Sequence, residues 1–294
     1  MLGLVTATLA GLALVVLVVA DVFDVLFARG SRPWSLSRRI AALVWRLVHA
    51  SGRSRLGLAG PLALVLVVVA WATFLIGGFA LVYLPHVPDG FVLPAHLAED
   101  HPAWTSLYFS AVTIGTLGYG EMTPRTGLMQ VVAPVQALVG FALLTASISW
   151  FLSVHPVLAR RRALAYDLLL LEKAEARRPA GSRPALADDL DGLHRRVIEV
   201  ERDLVSFPIT LYFSELDERH SLAAALPRLL RALQDLDPAE LAGPERLHAE
   251  MLQAALDDYA ATVSTFPGYR EGSTADVLRT HAERHAPDRG QATG

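Results

Sequence analysis

Three stretches of this chain, 2–20, 56–84 and 126–159, contain no Asp, Glu, Lys or Arg. Each is long enough to cross a bilayer, which takes about 20 apolar residues in a helix. In hydrocarbon every backbone N–H and C=O must be satisfied within the segment, so such runs can fold only as helices. Between the second and third runs, 102–112 (PAWTSLYFSAV) is uncharged and aromatic, too short to span but long enough for a re-entrant helix. A glycine-rich run follows it: Thr113, Ile114, Gly115, Thr116, Leu117, Gly118, Tyr119, Gly120, Glu121, Met122, Thr123, Pro124.

Non-helical backbone survives at membrane depth only where protein buries it or where it lines a watery path. A Gly-x-Gly run in this position therefore asks for a pore. If Thr116, Leu117, Gly118 and Tyr119 aim their carbonyls at one axis, the backbone must alternate between ordinary and left-handed dihedrals, which Gly118 and Gly120 make cheap. Stacked rings of such oxygens replace the water shell of a dehydrated cation, and the Thr116 hydroxyl adds an innermost ring. Leu117 and Tyr119 are then expected to point outward and wedge the loop against the short helix. One chain carries one loop, so a closed ring needs several chains.

The run Thr116-Leu117-Gly118-Tyr119-Gly120 resembles the TVGYG selectivity filter of potassium channels. Its flanks are similar too: Tyr108-Phe109 as the aromatic pair of the pore helix, Thr113 upstream, and Glu121 with Thr123-Pro124 downstream. The resemblance covers about 71–156 and departs from the family at Leu117, usually Val, and at Gly115, usually Thr or Ala. It implies an outer helix, a pore helix, a filter and an inner helix, K+ as the permeant ion held by Thr116, Leu117, Gly118, Tyr119 and Gly120, and a homotetramer. Gly115 and Leu117 keep a weakly selective cation channel open as an alternative. A non-conducting membrane sensor with a partner-binding helical tail is a third reading.

Along the chain, 1–28 reads as a first transmembrane helix without a basic leader region. Asp21 and Asp24, three apart, share a helical face. They read either as an intramembrane acidic site or, preferred here, as interface residues paired with Arg29 or Arg32. The segment 29–55 carries seven arginines and no acid, which places it in the cytoplasm and the N-terminus outside. Within it Ile40, Leu43, Val44, Leu47 and Val48 recur at helical spacing, predicting a helix in the interface plane whose arginines meet anionic lipid. Irregular arginine spacing argues against a voltage sensor.

The pore domain runs over 56–157. Its outer loop holds Asp89, Glu99 and Asp100, an acidic rim that concentrates cations, and His86, His96 and His101, which admit external-pH sensing. Gly140 lies midway along the third run; the resemblance to potassium channels implies a gating hinge there, and close helix packing, where small residues are favoured, is an equal reading. Thr145 and Ser149 share a face that points into a cavity or bonds back to the helix. Arg160-Arg161-Arg162 ends the span on the cytoplasmic side of a plasma-membrane protein, with the C-terminus inside.

The remainder, 158–268, reads as a cytoplasmic helical domain. Leu186, Leu190, Leu193, Val197, Val200 and Leu204 step by four and three, a coiled-coil-like seam serving a bundle core or subunit contacts. Two further amphipathic stripes follow, one from Leu222 to Leu236 and one from Leu247 to Tyr259. The final 269–294 reads as a flexible tail in which His281 and His285, four apart, make a possible metal pair.

The fold class expected is thus an all-α membrane protein with three transmembrane helices, a re-entrant pore helix and filter, and a C-terminal helical domain. No cysteine is present, excluding disulfides and thiolate chemistry. No phosphate-binding glycine loop or nucleophile signature appears, so neither an organic cofactor nor an enzyme is expected. A net charge of −3 gives no bulk attraction to nucleic acid. An unidentified cytoplasmic regulator is compatible with the helical domain.

Overall fold

The computed structural model describes residues 2–27, 35–51, 56–179, 181–215, 217–239 and 241–285. Among the described residues eleven α-helices run in the order α1 (Leu2–Phe27), α2 (Leu36–Ala50), α3 (Leu56–Tyr83), α4 (Ala95–Ala98), α5 (Pro102–Ile114), α6 (Gly127–Glu175), α7 (Ala185–Asp188), α8 (Leu190–Ser206), α9 (Leu222–Gln234), α10 (Gly243–Ser264) and α11 (Thr274–His285). One antiparallel pair, β1 (Phe91–Val92) with β2 (Thr123–Pro124), is the only sheet among the described residues. Gly3–Leu26, Gly57–His86 and Gly127–Glu175 are long and apolar enough to cross a membrane. The chain is an all-α membrane protein with three candidate spans and a further helical region.

Contacts divide the chain into two compact units, Met1–Ser37 with Val65–Leu152, and Arg38–Leu64 with Ser153–Gly294. In the first, α1 crosses α3 at two glycines. A methyl on Gly11 would stand 2.4 Å from the carbonyl oxygen of Gly78, so only a residue without Cβ allows this approach. Asp21 is buried at the end of α1. Its Oδ1 accepts the Leu36 amide at 2.8 Å, while Oδ2 accepts the Ser37 amide at 3.1 Å and the Trp71 indole N–H at 2.7 Å. The first amides of a helix have no partner within it, and Asp21 caps α2 from fifteen residues upstream. The pairing expected with Arg29 or Arg32 lies outside the described residues. What Asp21 supplies is a structural anchor rather than an exposed interfacial charge.

The second unit is a helical bundle. Leu193, Val197, Val200 and Leu204 of α8 are buried, as are Leu252, Leu256, Tyr259 and Val263 of α10, against which α8 packs. The seam read from the sequence is therefore bundle core within one chain. It is broken at Asp189, between α7 and α8. Helix α9 packs on α11.

The grouping by contact differs from the linear segmentation at 29–55, 56–157 and 158–268. Trp45 of α2 is buried and stacks on His285 of α11 with ring centroids 4.6 Å apart. Gly60 of α3 lies so close to Phe213 that a Cβ there would meet the ring at 2.4 Å. Both contacts join residues more than 150 positions apart, which local patterning does not reveal. The three arginines at 160–162 are engaged within this unit as well. Arg160 makes a bidentate pair with Asp203 (2.7 and 2.7 Å), Arg162 pairs with Glu215 at 2.9 Å, and the buried Arg161 guanidinium donates to the Thr210 and Phe213 carbonyls.

The stretch expected to be a flexible tail contains an ordered helix, α11, and this corrects the sequence reading. Val277, Leu278, His281 and His285 form its buried face. Two of those four residues are histidines, so the stripe has too little apolar content to stand out. His281 Nδ1 lies 2.8 Å from the Tyr269 hydroxyl and Nε2 3.4 Å from that of Tyr259, while His285 Nδ1 lies 2.8 Å from Ser214 Oγ. Burial pushes the His281 pKa down to about 3 and that of His285 well below its ordinary value. These are neutral core histidines bonded to hydroxyls. Among the described residues no group of three or more His, Asp or Glu could hold a metal ion.

Candidate ion pore

Pro102 opens α5 at its first position, where a missing N–H costs nothing, and His101 caps it by accepting the Ala103 amide at 3.2 Å. With 13 residues, α5 rises about 20 Å, short of the roughly 30 Å of a bilayer core. It ends at Gly115, which keeps helical dihedrals (φ −72°) and donates to the Ala111 carbonyl. The next amides still fold back on the helix, Thr116 N–H to Thr113 O at 3.1 Å and Leu117 N–H to Val112 O at 3.0 Å.

From there the backbone alternates. Thr116 (φ 56°), Gly118 (57°) and Gly120 (80°) lie in the left-handed region, while the intervening Leu117 and Tyr119 do not. Glycine makes this cheap at 118 and 120; at Thr116 the side chain makes it a strained position, of the kind that clusters at functional sites.

The loop is fastened at both ends. At its outer end Glu121 accepts the Tyr108 hydroxyl of α5, and Met122 is buried. β2 then pairs with β1, and the Arg125 amide donates to Gly90 O at 2.8 Å. At the inner end the last turn of α5 rests on α6. A methyl built on Gly140 would stand 2.3 Å from Ile114 O and 2.8 Å from Ile114 Cγ1. The geometry gives Gly140 a packing role: the pore-helix backbone occupies the space where its side chain would be. Thr145, four residues on, donates back to Phe141 O at 3.0 Å.

A buried polar chain ties the three pore helices together, and sequence reading missed it. Tyr83 of α3 donates to Gln136 Oε1 at 2.6 Å. Gln136 of α6 donates to the Ser110 carbonyl at 2.9 Å and its Oγ at 2.8 Å, and Ser110 of α5 donates to Ile76 O of α3 at 2.7 Å. Tyr83, Ser110 and Gln136 are fully buried. A buried amide is expensive unless bonded, so this network fixes the relative register of α3, α5 and α6. The available signal was Gln136 itself, a primary amide amid a long apolar run. Tyr83, Phe91 and Phe109 pack edge to face around it, with centroids 4.9 to 5.8 Å apart.

One expectation changes. Leu117 and Tyr119 are 59% and 66% exposed, so the chain's own α5 does not enclose them. The α6 face bearing Leu128, Val131, Val135, Leu138, Phe141 and Leu144 is also uncovered.

Residues 63–154, from α3 to the middle of α6, match a protein-family model described as "Ion channel". A curated protein of Bacillus subtilis (strain 168), "Uncharacterized membrane protein YdjJ", is 24% identical over 245 residues, spanning 78% of this chain and 70% of that protein. No solved structure matches.

Proposed function

Taking as premise that this multi-pass membrane protein carries an ion-channel module at 63–154, we propose that it conducts K+ as a homotetramer. The observation that carries the reading is the left-handed backbone at Thr116, Gly118 and Gly120, every second residue of a loop seated at the end of a short helix. Four copies of that strand stack the carbonyls of Thr116, Leu117, Gly118 and Tyr119 into rings that substitute for hydration water. Gly120 lets the chain leave the ring, and Thr113 and Glu121 hold its two ends through Thr116 N–H and Tyr108. The negative dipole end of α5 faces the inner mouth and favours a cation there.

The uncovered α6 face and the exposed Leu117 and Tyr119 support assembly, since a lone chain leaves the filter without walls. The arginines at 29–55 and 160–162 favour an outside N-terminus and a cytoplasmic helical unit in the plasma membrane. On α2, Leu43 and Leu47 are exposed beside Arg39 and Arg46, a face suited to anionic lipid. A regulator in the cytoplasm acts through the helical unit.

Rubidium flux into proteoliposomes tests conduction, with Gly118→Asp as the blocked control. Flux equal to that of empty vesicles means a non-conducting sensor. Bi-ionic reversal potentials for K+ and Na+ test selectivity, and equal permeabilities mean a weakly selective cation pore.

A further inference from the structure

The last two turns of α6 line one side of a half-open cavity of about 480 Å³, with α9, Pro184 and Leu186 of α7 on the others. Leu168, Leu171, Leu186, Leu229 and Leu236 make its interior apolar. Its volume falls within the roughly 300–1,000 Å³ of small-molecule sites. The charges on its lining are unequal: Glu172, Glu175 and Asp235 against Arg228 alone. Arg228 is already neutralised by Glu172, Nε to Oε1 at 2.6 Å. Glu175 holds the Ala185 amide with one oxygen at 2.5 Å, leaving its negative charge uncompensated by any cation of the lining.

A second, independent source of negative potential converges on the same place. Helix α6 ends at Glu175 and α9 at Gln234, and the residues at or just beyond both ends, Glu175, Ala176, Asp235 and Leu236, line the cavity. Each helix C-terminus carries about half a negative charge. Two such ends and two surplus carboxylates around an apolar hollow discriminate by charge: anions are repelled, neutral apolar molecules gain only burial, and a cationic head on an apolar body satisfies both parts.

We propose that this cavity binds a small organic cation, an amine carried on an apolar body, and thereby regulates the channel. Its wall is α6 itself, whose preceding turns lie in the channel module. A ligand joining Leu168 and Leu171 of α6 to Leu229 and Leu236 of α9 biases the position of the inner helix. The regulatory half rests on the pore reading; the binding half does not.

The test uses the full-length protein in detergent and three probes of one shape: 4-phenylbutylamine, 4-phenylbutanol and 4-phenylbutyrate. Calorimetry is expected to show the amine binding at least about ten-fold tighter than the alcohol, about 1.4 kcal/mol, and the acid not binding. The double variant Glu175→Gln with Asp235→Asn should erase the preference and keep alcohol binding. Ala232→Trp, at an exposed position of the lining, should abolish both. Equal affinity for amine and alcohol, preference for the acid, or undiminished binding in Ala232→Trp overturns the site; should Ala232→Trp misfold, the double variant decides alone. In liposomes, saturating amine should change rubidium flux in the wild type but not in the double variant. An identical response in both is pore block and overturns the regulatory half, as does no response in a conducting wild type.

Discussion

Replacing Gly140 by alanine adds one methyl group at the point where α6 supports the end of α5 and the glycine loop that follows it. That Cβ would lie 2.3 Å from Ile114 O, 2.8 Å from Ile114 Cγ1 and 3.1 Å from Ile114 C. Carbon-to-oxygen contacts settle near 3.3 Å, so the Ile114 carbonyl must withdraw by about 1 Å. It cannot do so alone: Ile114 is the last residue of α5, and the Thr116 and Leu117 amides are bonded to that same turn. Overpacking a well-filled contact costs about 1–3 kcal/mol. If this falls on the arrangement that conducts, flux drops about 5- to 150-fold at about 1.4 kcal/mol per decade. Rubidium flux per reconstituted protein is the assay, with reversal potentials to detect a change in ion preference. Gly77→Ala is the control, since nothing lies within 4 Å of a methyl there. Ile114→Ala in the Gly140→Ala background removes the clash with Cγ1 but not that with the backbone oxygen, so it restores flux only in part. A Gly140→Ala channel with wild-type flux and selectivity would refute the packing role, and full rescue by Ile114→Ala would refute the backbone contact as its cause.

Gln136→Leu orphans the Tyr83 hydroxyl at about 1–3 kcal/mol, lowering the melting temperature in detergent; adding Tyr83→Phe should recover part of the loss, and no recovery would break the network assignment. Asp21→Ala strips three N–H groups of their acceptor and should cost at least about 2 kcal/mol, with Asp21→Asn between it and wild type; an unchanged melt, followed by tryptophan fluorescence, contradicts the anchor. His281 and His285 are held neutral by burial, against an ordinary value of 6.5. The unfolded chain therefore takes up protons that the fold refuses, and stability falls as pH drops below about 6.5. The slope is up to about 1.4 kcal/mol per pH unit per histidine, and for His281 it persists down to about pH 3. Melting temperatures from pH 7.5 to 5 should show this decline, shallower in His281→Gln; a flat profile means the histidines are not buried.

Much of the membrane module is legible residue by residue. Charge-free runs longer than a bilayer declare α1, α3 and α6, because hydrocarbon tolerates little else. Gly118 and Gly120 announce left-handed backbone, because glycine's freedom is an intrinsic property. Thr116 does not announce it, since a threonine adopts φ 56° only when neighbours on both sides force it. Gly140 reads two ways until Ile114 is seen against it. Helix α11 passes for a tail because half of its buried face is histidine, a residue whose burial depends on Tyr259, Tyr269 and Ser214 arriving from elsewhere.

What the amino-acid order determined alone is therefore everything governed by one segment's transfer into lipid or one residue's dihedral range: three spans, a short helix that cannot span, and a glycine loop beyond it. The tertiary structure decided whatever depends on two segments meeting: the Asp21 cap on α2, the Tyr83–Gln136–Ser110 tie, the docking of Trp45 on His285 and the engagement of Arg160–Arg162. The reason is physical: a buried polar group or a missing side chain has no definite energy until its partner is in place.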